Sequence, residues 1–213
     1  MEILSLKSKD TQHAAERAAE VLRAGGVVLY PTDTLYGLGA DAFSDEAVAK
    51  VYAIKGRSGR KPVHCIVADI EMAEQYGEVG EIARKLAREL PCGKVTFIVP
   101  KKAGVDSGIC RDIPTFGFRI PDNALCEELL KDFGAPITAT SANKSGEIPG
   151  RDIEEIFAQV GNAAHGIDLA LDAGALPASQ PSTVIDLTAS KPVILREGAV
   201  RAADIWNSIW QER

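Results

Sequence analysis

Apolar positions along the chain switch between two spacings. Ala14, Ala18, Val21 and Leu22 recur three and four residues apart with polar residues between them, the period of a helix that buries one face. Asp10 precedes this run and Gly25-Gly26 follows it, so the spacing predicts a helix over 10–23, capped at Asp10. Behind Ser44, the positions Ala47, Val48, Val51 and Ile54 predict a second helix, which ends at residue 54. Further helices are expected over 80–90, 124–133, after Asp152 and over 202–211. Between them lie short apolar runs that read as buried strands, over 27–30, 63–67, 95–99, 116–120, 137–140, 167–171, 183–187 and 193–195. Residues 31–43 read as a glycine-bearing loop, and SANKSGEIPG over 141–150 as a polar one.

Strands that alternate with helices place the chain in the α/β class, with a mixed sheet flanked by helices. The late strands follow one another through short links, so some pairing should be antiparallel. No internal repeat or low-complexity linker divides the chain. A single domain over 1–213 is expected, with a core over about 10–200 and a C-terminal helix over about 202–211.

Composition narrows the class. The chain has 213 residues, 46% of them hydrophobic and 25% charged, ordinary for a globular domain with a core of its own. Its longest apolar run falls well short of the ~20 residues of a membrane helix, and MEILSLKSKD does not read as a signal peptide. The four cysteines (Cys65, Cys92, Cys110 and Cys126) are widely spaced without a CxxC pair, which reads as reduced thiols in a cytoplasmic protein rather than a disulfide framework.

Charge raises the first chemical question. The net charge of −6 argues against a general nucleic-acid coat protein. Yet Lys55, Arg57, Arg60 and Lys61 fall within seven residues, interleaved with Gly56 and Gly59 and closed by Pro62. Cations at a helix end suit its dipole and are usually just solvated. Here the glycines let backbone N–H groups approach an anion, and forked arginine donors alternate with lysine point charges. Three polar loops follow strands: PTDTLYG (31–37), TSANKSG (140–146) and PSTVIDLT (181–188). Ligands of α/β proteins bind where strand ends open into loops. Together these features point to a phosphate-bearing small molecule.

Other patterns carry less. Gly37-Leu38-Gly39-Ala40-Asp41-Ala42 fits G-x-G-x-x-A, but residues 31–36 separate it from the preceding strand and no acid follows about 20 residues on. Ser141 and Lys144 fit S-x-x-K without the other parts of a β-lactamase site. His13, His64 and His165 lack metal-ligand spacing, and no protein metal site is expected.

Taken together, PTDTLYGLG (31–39), KGR (55–57), KP (61–62), Gly93 with Thr96, FRIP (118–121), TSANKSG (140–146), PSTVIDLT (181–188) and LREG (195–198) resemble the YrdC-like family, the threonylcarbamoyl-AMP synthases. The resemblance runs from Gly25 to about Val200, and its specificity lies in the order and spacing of the pieces. It implies an open twisted sheet with a concave basic face. It also implies a nucleotidyltransferase that joins L-threonine, bicarbonate or CO2, and ATP with Mg2+ into threonylcarbamoyl-adenylate, releasing pyrophosphate. A separate tRNA-modifying threonylcarbamoyl-transferase complex would then take the product.

By position, Lys55 and Arg57 match the catalytic phosphate-handling pair, with Lys61 beside them. Ser141, Asn143, Thr115 and Arg196 match further ATP contacts, and Thr34, Arg119, Ala139 and Ser182 match the threonine pocket. Arg119 would take the threonine carboxylate as a bidentate fork, and Thr34 or Ser182 its hydroxyl. Two places depart from the family pattern. Cys92-Gly93-Lys94 stands where many members have Pro-Gly-Pro, and Ile66 stands where some have a pocket histidine, with His64 two residues earlier on the same strand face. Three rivals remain: an RNA-binding module, disfavoured by 6% aromatics; a carbamoyl-transfer domain; and a nucleotide-binding paralogue without turnover.

Overall fold

The computed structural model describes residues 1–6, 11–56 and 62–210. Strand β1 (Glu2–Ser5) leads into helix α1 (Thr11–Arg23), and the expected cap at Asp10 lies outside the described residues. Strands β2 (Val28–Pro31) and β3 (Tyr36–Gly39) follow, then α2 (Asp45–Ile54), whose Ser44 Oγ accepts from the Ala47 N–H. Next come β4 (Cys65–Ile66), α3 (Ile70–Tyr76), α4 (Glu81–Glu89), β5 (Val95–Pro100) and β6 (Thr115–Arg119). Helix α5 (Ala124–Phe133) starts at Asn123, which accepts from the Cys126 N–H, and stops at Gly134 in the left-handed region. The chain continues through β7 (Ile137–Thr138), β8 (Thr140–Ser141), α6 (Ile153–Val160, capped by Asp152), β9 (Leu169–Asp172), β10 (Thr183–Asp186), β11 (Val193–Arg196) and α7 (Ala202–Trp210).

The described strands divide the expected sheet into two mixed ones, and neither closes into a barrel. The first has the order β1-β9-β2-β3-β8, the second β11-β10-β5-β6-β4-β7. The antiparallel pairing expected among the late strands is that of β10 with β11, while β10 runs parallel to β5. Residues 137–141 join the sheets, because β7 pairs with β4 in the second and β8 with β3 in the first. Between them, the Ala139 N–H donates to His64 O at 2.9 Å, and the Thr138 N–H to Ala40 O at 2.9 Å.

Burial explains why this arrangement holds. Helices α1 and α5 cover one face of the first sheet, where Ala14, Ala15 and Ala18 pack with Leu125, Leu129 and Leu130. Small residues on α1 let the two helices approach closely. Helices α2 and α6 cover the other face through Ala47, Val51 and Ile156 against Leu29 and Leu38. With both faces covered, β2 is buried at every position and reads as a continuous apolar run. The second sheet buries Phe97, Phe116 and Phe118 with Leu86 of α4 and Ile205 of α7.

Three elements depart from the sequence expectation. Strand β3 occupies the middle of the expected 31–43 loop. Its glycines read as turn signals, but they serve close approach: a Cβ on Gly37 or Gly39 would come within 3.3 Å or 2.8 Å of the Tyr30 ring. Strand β1 and helix α3 were not anticipated. Each is short, and β1 gains its pairing from β9, far along the chain.

Candidate functional site

A cavity of about 300 Å³ opens where the two sheets meet. Thr32 and Thr34 reach it from the β2–β3 turn, Thr96 from β5, and Thr115 and Arg119 from β6. Ala139 and Ser141 reach it from the inter-sheet crossing, Ser182 from the start of β10, and Arg196 from the end of β11. Seven residues nominated from sequence therefore share one lining: Thr34, Thr115, Arg119, Ala139, Ser141, Ser182 and Arg196.

Lys55 and Asn143 stand directly behind it. Lys55 is buried, and its Nζ donates to Ser141 O, to Asn143 O at 3.0 Å and to Asn143 Oδ1 at 3.1 Å. The Ser145 N–H donates back to Lys55 O at 3.0 Å. Ser141 Oγ donates to Asn143 Oδ1 at 2.6 Å, and Asn143 Nδ2 donates to the carbonyls of Lys144 and Glu147. An ammonium has three protons to give. Here they hold the SANKSG loop in shape, so Lys55 acts as a clamp on the cavity wall. Arg57 and Lys61, the remaining nominated cations, lie outside the described residues.

Hydroxyls form much of the wall. Thr96 Oγ1 and Ser182 Oγ lie 2.7 Å apart, and Thr32 Oγ1 and Thr34 Oγ1 lie 3.1 Å apart. Thr32 Oγ1 also accepts from the Thr34 and Leu35 N–H groups, which shapes the β2–β3 turn. Thr32 Oγ1 gives its own proton to Leu35 O at 2.8 Å and is saturated by these contacts, so within this pair it is the lone pairs of Thr34 Oγ1 that stay available to a hydroxyl or amine of a ligand. Thr96 was noted in the sequence only as part of a motif and emerges here as a lining residue.

Two arginines supply fixed positive charge. Arg196 donates through Nε and Nη2 to Ser182 O, at 3.2 and 2.8 Å. Burial lowers its pKa from the ordinary value, yet a guanidinium stays charged at any relevant pH. Arg119 has a side chain only 4% exposed, and its Nη1 donates to both Asp33 oxygens and to Gly93 O, each at 2.9 Å. Its Nε is buried with no hydrogen-bond partner among the described residues. A buried donor left unmatched is costly unless something else satisfies it. Asp33 was not among the residues nominated from sequence, although it sits within PTDTLYG.

At the two departures from the family pattern, Lys94 Nζ donates to Asp33 O at 3.0 Å and lies 3.6 Å from Asp33 Oδ2. Gly93 sits at φ +73°, where a Cβ would collide with the Asp33 carboxylate. His64 lines the cavity, whereas Ile66 is buried in the core with Tyr30 and Ile137. Among the described residues, no group of three or more His, Cys, Asp or Glu side chains could hold a metal ion, and no helix is long and apolar enough to cross a membrane.

Fold and cavity together define an α/β protein with a polar cavity between two sheets, lined by hydroxyls and two arginines and backed by a clamped loop, which suits a small anionic, hydroxyl-bearing ligand. The Sua5/YciO/YrdC family, described as "Telomere recombination", matches residues 20–198, and the chain belongs to that family. It is 34% identical over 200 residues to a Methanocaldococcus jannaschii protein provisionally named a threonylcarbamoyl-AMP synthase, covering 94% of this chain and 93% of that one. It is also 34% identical to the threonylcarbamoyl-AMP synthase of Bacillus subtilis, over 94% of this chain and 57% of that protein. The crystal structure of P. abyssi Sua5 complexed with L-threonine superposes with a TM-score of 0.90 at 30% identity, covering 100% of this chain and 62% of that one. E. coli YciO superposes with a TM-score of 0.79 at 28% identity, over 94% and 96% of the two chains. The single-domain α/β fold with two mixed sheets is thus the family's own. The chain spans less than two thirds of the B. subtilis and P. abyssi proteins.

Proposed function

We propose that the protein is a threonylcarbamoyl-AMP synthase, a nucleotidyltransferase that condenses L-threonine, bicarbonate or CO2, and ATP into L-threonylcarbamoyladenylate with release of pyrophosphate. One observation carries this reading: residues from motifs scattered between positions 34 and 196 converge on a single polar cavity lined by the buried Arg119 and the more exposed Arg196. The names of the relatives support the same activity.

The chemistry asks for such a cavity. Threonine's neutral amine attacks the carbon of bicarbonate with loss of water, or of CO2 with loss of a proton, to give an N-carboxy species; its carboxylate oxygen then attacks the α-phosphorus of ATP as the bond to pyrophosphate breaks. Three anionic groups must meet, so fixed cations have to offset their repulsion. We assign Arg119 to the threonine α-carboxylate, since its Nε is buried and unmatched. Thr34 and Ser182, with Thr96 beside Ser182, form the wall for the amino-acid hydroxyl. Arg196 and Thr115 face the nucleotide, with Arg57 and Lys61 completing its phosphate contacts. Ser141 and Asn143, held by Lys55, shape the wall against which the phosphates lie. Mg2+ arrives with ATP as part of the substrate and offsets charge on the phosphates. The product passes to a separate tRNA-modifying threonylcarbamoyl-transferase complex in the cytoplasm.

The test is incubation with labelled threonine, bicarbonate and Mg·ATP, followed by mass analysis. The expected result is the mixed adenylate together with an equal amount of pyrophosphate, both dependent on threonine and on bicarbonate. Lys55→Ala and Arg57→Ala should each lower turnover by about a hundredfold or more while the protein stays folded. Pyrophosphate release that ignores threonine would reject the assignment.

A further inference from the structure

The Asp33 carboxylate is a buried anion beside the arginine that the proposed reaction assigns to another anion. Its side chain is 5% exposed, and both oxygens accept from Arg119 Nη1 at 2.9 Å. On charge alone this is paradoxical, because Asp33 cancels the attraction that Arg119 should offer a substrate carboxylate. Three further observations resolve it. Nη1 is fully engaged, accepted by Asp33 and by Gly93 O, while Nε remains without a partner at the buried guanidinium. Lys94 adds a second cation from outside the cavity lining, bonded to Asp33 O at 3.0 Å and 3.6 Å from Oδ2. Gly93 makes room for the carboxylate, which a Cβ at that position would displace.

We propose that Asp33 is a positioning residue: with Lys94 behind it, it fixes the Arg119 guanidinium by one corner and leaves the Nε edge for the α-carboxylate of the amino-acid substrate. This inference rests on the reading of the cavity as an amino-acid site. Charges balance in its favour. Arg119 and Asp33 alone sum to zero, and Lys94 returns the cluster to a net positive charge. A guanidinium tethered through one nitrogen has lost its rotational freedom before the substrate arrives, so less entropy is lost on binding. The same contacts run between sheets, since Asp33 belongs to the β2–β3 turn and Arg119 to β6. The Lys94 side chain also steadies the turn through its contact to the Asp33 carbonyl.

A merely structural ion pair would predict something else. Breaking it would cost stability and harm every ligand alike. A positioning role predicts a selective loss of amino-acid affinity. The experiment is calorimetric titration of the full chain with L-threonine alone and, separately, with Mg·ATP. It uses the wild type, Asp33→Asn, Lys94→Met and Lys94→Arg, each checked for native melting. Asp33→Asn should weaken threonine binding about tenfold or more, and Lys94→Met about threefold, with Mg·ATP affinity within about twofold of wild type in both. Lys94→Arg should bind threonine as the wild type does. Equal weakening of threonine and Mg·ATP, or threonine affinity unchanged in Asp33→Asn, overturns the proposal. Should Asp33→Asn fail to fold, Lys94→Met decides by the same two criteria. A wild-type protein that binds no threonine rejects the amino-acid site itself, and this inference with it. Wild-type binding that the variants leave intact rejects the inference alone.

Discussion

Three of the four thiols are sealed in the core, and their chemistry follows from that. Cys65, Cys110 and Cys126 are buried, whereas Cys92 is exposed beside Gly93. Burial pushes the Cys65 thiol well above its ordinary value, Cys110 up to about 11 and Cys126 up to about 12. A thiol reagent at mildly alkaline pH should therefore modify Cys92 alone in the native protein and all four cysteines in denaturant, as counted by intact mass. The same shifts have a sign. A native pKa raised above the unfolded value means that the folded state holds the proton more tightly. The contribution to stability is then complete below the ordinary thiol value of 9.0 and is lost as pH rises through about 11 for Cys110. Urea midpoints should fall over that interval, and a flat profile would contradict these burials. Residue roles were less legible in the sequence than residue identities. Lys55 was readable as a cation near a phosphate, but its partner Ser141 lies 86 positions away. Asp33 is equally far from Arg119. Nothing local to either residue announces the contact, which exists only once the two sheets meet.

Most helices with a local cap and apolar spacing were legible, the short α3 behind Asp69 being the exception, whereas β1 and β3 owe their existence to distant neighbours and were not. Helices α2, α5 and α6 each begin at a residue whose side chain accepts from the first turn, and those residues precede helical apolar spacing in the sequence. Strand β3 carries the opposite kind of information. Its glycines are there because the Tyr30 ring lies over them, and Tyr30 in turn donates its hydroxyl to Thr138 O at 3.0 Å. Gly39→Ala would set a methyl 2.8 Å from that ring and 3.1 Å from Ile137 Cγ2. Both neighbours are fully buried, so neither has room to withdraw. The expected cost is about 1–3 kcal/mol, by the measure of overpacked cores, read as a lower urea midpoint with an unchanged slope. Gly25→Ala is the informative contrast: its Cβ would meet nothing within 4 Å, but φ of +75° makes the backbone itself unfavourable. Strain without collision should cost about 1 kcal/mol, so the two variants separate crowding from conformation.

At the scale of the molecule, the site is a seam. The first sheet contributes Thr34 and Ser141, the second contributes Thr96, Thr115, Arg119 and Arg196, and residues 137–141 cross between them. Lys55 braces the seam on one side through the SANKSG loop, and the Asp33–Arg119 pair braces it on the other. A ligand that touches both walls must then oppose their separation, so binding should register as stability of the whole protein. At about one hundred times its dissociation constant, a ligand specific to the native state adds about 2.7 kcal/mol. For a chain of this size that amounts to a rise of about 5–10 °C in Tm. The two braces also make the effect separable. Lys55→Ala should remove most of the Mg·ATP-induced rise while leaving that from threonine, because under the proposed function the clamp shapes the nucleotide wall. Asp33→Asn should do the reverse. If either substitution abolished both shifts together, the two ligand positions would not be distinct, and the seam would act as one undivided pocket.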